Sequence, residues 1–174
     1  MNEMLLFIEP LSMDAVDLEE RLITINSQLV EPNKLRLIPV INIQTLKNVD
    51  YQMGQVLYQF VLDYQAVHIW GASKARQFLL AGQKAIAAGA VYNEQLVIKM
   101  LADLAINWDE FLIERNDPAN RQGLMRKQRI AQSYIKENTL PLLVIENEQT
   151  DQLRPFLEEA ALIDLEVAVQ DAII

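Results

Sequence analysis

One residue near the start of the sequence has a type and a position that suit a chemical role. Ser12 follows a short apolar run and precedes a stretch with helical periodicity, so it is predicted to lie at the N-terminus of a helix. Free backbone N–H groups and the helix dipole favour an anion at such a place, and a serine hydroxyl there could stabilise a bound thiolate. Asp14 and Asp17 oppose this chemistry because they add negative charge nearby. The competing interpretation is that Ser12 only caps the helix.

The composition excludes several other kinds of site. The 174 residues include no cysteine and a single histidine, His68, which is predicted to pack beside Trp70 near a helix junction. Disulfides, thiolate catalysis, cysteine-based metal sites and multi-histidine metal centres are therefore excluded. A net charge of −9 argues against non-specific binding to nucleic acid or to anionic lipid. No apolar run of about 18 residues is present and the N-terminus lacks a basic n-region, so we expect a cytoplasmic protein without a membrane span. We also expect no metal and no cofactor.

One predicted helix carries a group of basic residues in this otherwise acidic sequence. The group consists of Arg121, Arg126, Lys127, Arg129 and Lys136. It could contact an acidic partner, but a solvated helix face is the simpler interpretation.

Four stretches predict the strands of one sheet. They are Met4–Ile8, Lys34–Ile43, Pro141–Glu146 and Leu153–Leu157. The apolar first and third stretches are typical of strands buried on both faces, and proline in the fourth favours an antiparallel edge strand. The alternative for the last part of the chain is a helix over residues 151–162. A helix from Ser12 to about Ser27 separates the first two strands, which predicts a right-handed crossover between parallel neighbours.

Between the second and third strands the pattern is helical almost throughout. Helical spacing of apolar residues and N-cap signals predict five helices between residues 50 and 137. The first three begin near Asp50, Ser73 and Asn93. The fourth begins at either Asn107 or Asp109, and the fifth begins at Asp117-Pro118. One more helix is predicted from Asp164 to the end.

Three parts of the sequence resemble the DsbA-like family of thioredoxin-fold proteins. Residues 7–15 resemble the family's turn from a strand into the first helix, where a Cys-x-x-Cys motif begins. Residues 74–80 with 93–111 resemble the inserted helices. Residues 129–145 resemble the last inserted helix and the loop that holds a cis-proline. Together they span most of the chain.

The resemblance implies an α/β, thioredoxin-like fold with a central four-stranded mixed sheet and a DsbA-like helical insertion of about five helices. Residues 1–49 and 138–174 would form the thioredoxin-like core of a single domain, and residues 50–137 the inserted helices. On this alignment Ser12 replaces the first active-site cysteine and Ala15 the second. Serine cannot form a mixed disulfide and alanine cannot resolve one, so dithiol–disulfide exchange is lost and no thiol–disulfide enzyme is expected.

The resemblance also implies a binding role. In thioredoxin folds the backbone before the cis-proline, here Leu140 before Pro141, docks an extended peptide beside the position of Ser12. We therefore expect a redox-inactive protein that binds a peptide or partner protein, as does the family's cytoplasmic adaptor that delivers a stress regulator to a protease. One alternative is a glutathione-dependent transferase or isomerase that uses Ser12, similar to the kappa-class transferases and 2-hydroxychromene-2-carboxylate isomerases. Another is a structural subunit that forms a homodimer through its helical block.

Overall fold

The computed structural model describes residues 2–28, 34–41, 50–135, 140–147 and 154–156. The elements are strand β1 (Asn2–Ile8), helix α1 (Met13–Gln28), strand β2 (Lys34–Pro39), helices α2 (Tyr51–Val67), α3 (Ala72–Ala87), α4 (Glu94–Asp103), α5 (Trp108–Asn116) and α6 (Pro118–Ile135), and strands β3 (Leu142–Asn147) and β4 (Arg154–Phe156). A short 3-10 helix, His68–Trp70, joins α2 to α3. This order confirms the predicted α/β fold, in which a block of helices is inserted between β2 and β3.

The four strands form one mixed sheet in the order β2-β1-β3-β4. β1 is parallel to β2 and antiparallel to β3, and β3 is antiparallel to β4. The parallel pairing of β1 and β2 confirms that these strands are parallel neighbours, as the strand–helix–strand pattern predicted. β4 confirms the predicted edge strand, so the helical alternative is wrong for residues 154–156. The rest of that alternative, and the helix predicted from Asp164, lie outside the described residues.

The central strands are apolar on both faces because both faces are covered. Met4 and Leu6 of β1 belong to a core cluster with α1 and the helical block, and Leu22 is the α1 residue most completely buried in it. Leu5 and Phe7 point to the other face, where they join the cluster that contains Ala131 of α6. Burial of each such side chain is worth about 1.5–3 kcal/mol, so the two faces hold the sheet between α1 and α6.

β2 is shorter than the strand predicted to reach Ile43. The Val40 N–H donates to the Ile8 carbonyl at 2.8 Å, and the next N–H, of Ile41, donates to the Gln128 side chain at 2.9 Å. The chain therefore leaves the sheet after Val40 and is held by α6 instead. Residues 42 and 43 lie outside the described residues.

Side-chain caps begin four of the inserted helices. Asp50 accepts from the Met53 N–H at 2.7 Å, Asn93 from the Leu96 N–H at 3.0 Å, and Asp117 from the Ala119 N–H at 2.7 Å. Asn107, rather than Asp109, caps α5: its side-chain oxygen accepts from the Asp109 N–H at 2.8 Å. Each cap satisfies a backbone donor that has no partner inside the helix. Among the helices described, none is long and apolar enough to cross a membrane.

Candidate functional site

The turn between β1 and α1 contains Ser12 and Ala15. The Ser12 N–H donates to the Glu9 carbonyl at 3.2 Å, and the Ser12 Oγ accepts from the Ala15 N–H at 3.4 Å. Ser12 is half-buried, whereas Ala15 is fully buried at the first turn of α1. The Ser12 hydroxyl therefore acts as an N-cap and keeps its own proton free for donation. Ala15 contributes only a methyl group.

The loop before β3 contains Leu140 and Pro141. The peptide bond between them is cis. In the antiparallel register Phe7 of β1 lies opposite Leu142, so Pro141 lies beside the end of β1 where the turn to Ser12 starts. The sequence-predicted residues therefore come together at one end of the sheet, at the carboxyl ends of β1 and β2.

The Leu140 side chain and backbone have different surroundings. The side chain is half-buried and packs against the apolar cluster formed by the second face of the sheet and α6. Within the described residues, neither the N–H nor the carbonyl of Leu140 has a hydrogen-bond partner. A backbone donor and acceptor without partners among the described residues can pair with an added strand.

Acidic side chains lie around this end of the sheet. Asp14 and Asp17 are exposed on the first turns of α1, and Glu9 is exposed in the preceding turn. Met13 next to Ser12 leaves 46% of its surface accessible. The site thus offers an apolar contact, backbone groups without partners among the described residues, and nearby carboxylates. This combination suits a neutral or basic extended segment better than an anion.

A second concavity, which the sequence analysis missed, lies within the helical block. It is an open groove of about 860 Å³ with Tyr51 and Tyr58 of α2 on one side and Tyr92, Glu94 and Arg115 on the other. Such a volume is typical of small-molecule sites. In the sequence, the signal that could have indicated this groove was the pair Tyr51 and Tyr58 on the polar side of α2. In the structure these tyrosines are 79% and 41% exposed. The opposite wall comes from α4 and α5, which no local pattern in the sequence places next to α2.

The groove lies above a buried carboxylate network. Asp63 has no exposed surface and accepts from Gln59 at 2.8 Å and from Tyr92 at 2.7 Å, and its carboxylate pairs with the Arg115 guanidinium at 2.8 Å. Burial raises the pKa of Asp63, while Arg115 and the two hydrogen bonds act against that rise. Because the Asp63 carboxylate is paired on both oxygens, this network has a structural role and holds α2 and α5 to Tyr92 in the loop before α4.

The structure divides the basic group predicted on α6. Arg121, Arg126 and Arg129 are exposed, whereas Lys127 is half-buried on the side that faces β2. Lys136 lies outside the described residues. His68, in the 3-10 helix at the predicted helix junction, stacks edge-on against Tyr64 with ring centroids 4.7 Å apart.

Comparisons with known proteins agree with this arrangement. Residues 5–164 match the sequence profile of the family described as Thioredoxin. No curated protein sequence matches the chain.

Several solved structures share the fold over nearly the whole chain. A candidate protein disulfide isomerase from Nitrosomonas europaea aligns with a TM-score of 0.71 and 14% identity over 98% of both chains. A variant of DsbA from Pseudomonas aeruginosa aligns with a TM-score of 0.70 and 12% identity over 98% of this chain and 86% of that one. The cytosolic disulfide reductase DsbM from Pseudomonas aeruginosa, in its structure with GSH, aligns with a TM-score of 0.66 and 13% identity over 98% of both chains.

Proposed function

The chain belongs to the DsbA-like thioredoxin family, and we propose that it is a redox-inactive member that binds an extended segment of a peptide or partner protein. The absence of cysteine removes thiol–disulfide exchange through the protein's own side chains, because both the attacking and the resolving thiol are missing. What the fold keeps is the end of the sheet at which Ser12 and the Leu140–Pro141 loop meet. We place the protein in the cytoplasm, as DsbM is described as cytosolic.

The observation that carries this proposal is the backbone of Leu140. Its N–H and carbonyl are without partners in the described chain, next to a half-buried apolar side chain. An extended segment that pairs with both groups would gain two backbone hydrogen bonds, each worth about 0.5–1.5 kcal/mol, together with apolar contact to Leu140. Exposed Met13 provides a second apolar contact on the other side of Ser12.

Site-specific photo-cross-linking tests this proposal. Met13, beside Ser12, is replaced by the photoreactive residue p-benzoylphenylalanine, and the protein is irradiated with reduced, carboxamidomethylated ribonuclease A, a permanently unfolded basic chain. The matched control carries the same group in place of Ile113, which is 70% exposed on α5 in the helical block. We expect cross-linked product at position 13 in large excess over position 113. Equal yields at the two positions, or none at position 13, would refute binding at this end of the sheet.

A glutathione-dependent activity through Ser12 is a second candidate. The observation in its favour is that the Ser12 hydroxyl accepts a hydrogen bond from Ala15 and still has a proton to donate to a thiolate. The similar DsbM structure contains GSH, although that is a property of DsbM. Calorimetry with reduced glutathione decides between the candidates. Saturable binding that Ser12→Ala weakens at least tenfold would favour the transferase or isomerase, whereas no heat at millimolar glutathione would remove it.

A further inference from the structure

The open groove in the helical block is bordered by three tyrosines. Tyr51, Gly54 and Tyr58 of α2 follow one another at intervals of three and four residues, so they lie on one face of this helix. Gly54 has no side chain, so helix backbone bounds the groove between the two tyrosines. Tyr92 lies on the opposite side, where its ring packs edge-on against the buried Phe60 ring with centroids 5.2 Å apart. Tyrosines therefore border a concavity of about 860 Å³ from two sides.

Polar side chains also line this groove, and most of those described already have hydrogen-bond partners within the protein. They are Asp50, Gln55, Gln59, Tyr92 and Asn93. The Gln55 amide, for example, donates to the Tyr51 hydroxyl at 2.8 Å. A ligand with several N–H or O–H donors would give up hydrogen bonds to water and find few free acceptors among these residues. The groove therefore suits a ligand that needs no hydrogen bonds.

The charged residues that line the groove leave it negative. Arg115 is neutralised by the buried Asp63 carboxylate, which it contacts twice, through Nε at 2.8 Å and through Nη2 at 3.3 Å. Asp50 and Glu94 also line the groove, and the Glu94 side chain is 72% exposed and lies only at 4.0 Å from Arg115.

Two helix N-termini act against these carboxylates without cancelling them. Helices α2 and α4 begin at the groove, directly after Asp50 and at Glu94. Each helix N-terminus contributes roughly half a positive charge, which together is about one charge against two carboxylates. The balance therefore favours a cation in the groove over an anion.

We propose that this groove binds a small organic cation that carries a quaternary ammonium group. The face of an aromatic ring attracts a cation, and tyrosine is one of the residues that recognise such groups. A quaternary ammonium group spreads its charge over methyl groups and has no N–H, so it needs no hydrogen-bond acceptor. A lysine ammonium or a metal ion would need several. The proposal is independent of peptide binding, because Ser12, Leu140 and Pro141 do not line the groove.

Titration with choline, which carries this group, tests the proposal. NMR follows the ring protons of Tyr51 and Tyr58 at constant ionic strength, and the control ligand is the neutral isostere of choline in which carbon replaces nitrogen. We expect both ring signals to shift and to saturate at millimolar choline, and the isostere to bind at least about tenfold more weakly. Equal binding of the two ligands, or no saturation by about 100 mM choline, would overturn the proposal.

The same group occurs in free cations and in trimethylated lysine side chains. Acetyl-trimethyllysine amide distinguishes these sources, since binding as tight as that of choline would support a site that admits a modified side chain, and weaker binding a site for free cations. Unmethylated acetyl-lysine amide should bind more weakly than its trimethylated form, because its N–H groups need acceptors. The reverse order would contradict the proposal.

Variants separate the contribution of the rings from that of charge. Tyr58→Leu should weaken choline binding at least about threefold, whereas Tyr58→Phe, which keeps the ring, should bind within about twofold of wild type. Tyr51→Leu, at the more exposed tyrosine, provides a second variant in case Tyr58→Leu fails to fold. Glu94→Gln should weaken binding of choline but not of the isostere. Its matched control is Asp103→Asn, which removes the same charge at the exposed far end of α4 and should bind as wild type. Unchanged binding in both leucine variants, or equal effects of Glu94→Gln and Asp103→Asn, would overturn the proposal.

Discussion

At the first turn of α1, Ser12 and Ala15 are the two residues that the family resemblance aligns with the cysteines of a Cys-x-x-Cys motif. Ser12 caps the helix and Ala15 is buried three residues later. This spacing is that of a Cys-x-x-Cys motif, so the scaffold should still accept a disulfide although the sequence no longer supplies one. The loss of redox chemistry is thus a property of two residues and not of the fold.

Restoring these two residues tests that conclusion. The double variant Ser12→Cys with Ala15→Cys should form an intramolecular disulfide and reduce insulin in the presence of dithiothreitol, whereas the wild type should match the uncatalysed rate. The single variant Ser12→Cys is the control, since it cannot close a disulfide within one chain. Turnover by the wild type, or failure of the two cysteines to bridge in a folded double variant, would contradict the alignment.

Glu19 shows how a single buried carboxyl can set the pH dependence of stability. The Glu19 side chain is buried between α1 and α3 and accepts a hydrogen bond from Gln83 at 2.9 Å. The pKa of Glu19 is raised from 4.5 to about 7, chiefly by burial, with the Gln83 hydrogen bond acting against the rise and the nearby Glu20 charge adding to it. The folded state therefore binds more protons than the unfolded state between these values. The stabilising effect is complete below the unfolded pKa and is lost as pH rises through the folded pKa.

Replacing Glu19 by Gln should remove this dependence. Between pH 4.5 and 8 we expect the wild type to lose stability on the order of 3 kcal/mol from this group, and Glu19→Gln to lose much less. At pH 8 the variant should be the more stable of the two. Urea unfolding at several pH values measures this, with Glu20→Gln as the exposed control on the same helix. Parallel curves for wild type and Glu19→Gln would contradict the prediction.

At the scale of elements, the packing of α2 against α3 depends on a glycine. A Cβ atom at Gly82 would lie 2.7 Å from Cζ of Phe60, closer than non-bonded carbons approach. Phe60 cannot move away easily because it is fully buried between the rings of Phe78 and Tyr92. The close approach of the two helices therefore requires the absence of a side chain at this position.

Gly82→Ala should lower the free energy of unfolding by about 1–3 kcal/mol, because the overpacking outweighs the gain in helix propensity. Gly123→Ala on α6 is the matched control. Its Cβ would meet only the flexible Gln65 side chain, at 3.1 Å, so this substitution should be neutral or stabilise by up to about 1 kcal/mol. Chemical unfolding of both variants measures the difference, and equal effects would argue against the proposed contact.

The elements were predictable where their signals are local. The capping side chains of Asp50, Asn93 and Asp117 bond to N–H groups two or three residues away, so the sequence alone locates these helix starts. The end of β2 was not predictable, because it depends on Gln128, which is 87 residues from Ile41. Glu19 likewise looked like one of several carboxylates near the start of α1, and its burial depends on Gln83 in another helix.

At the scale of the whole molecule, the fold brings together groups that the sequence keeps apart. The sheet register places the Leu140–Pro141 loop beside the turn that holds Ser12, and the family resemblance was sufficient to predict that these residues lie at the same end of the sheet. The groove between Tyr51, Tyr58 and Arg115 needs three helices in their final positions. The position of Lys127 beside Pro39 and Tyr64 similarly depends on how α6 packs against β2, so the sequence alone did not separate Lys127 from the exposed basic residues of α6.

The exchange rate of the Leu140 amide hydrogen tests the central claim most directly. This N–H has no partner among the described residues, so it should exchange quickly in the free protein. Hydrogen exchange followed by NMR, with and without reduced and carboxamidomethylated ribonuclease A, compares the free and bound states. If an extended segment pairs with this backbone, Leu140 should exchange at least about tenfold more slowly at saturation, while the exposed control Ile113 remains unchanged. Saturable binding of the probe without protection at Leu140 would contradict the account.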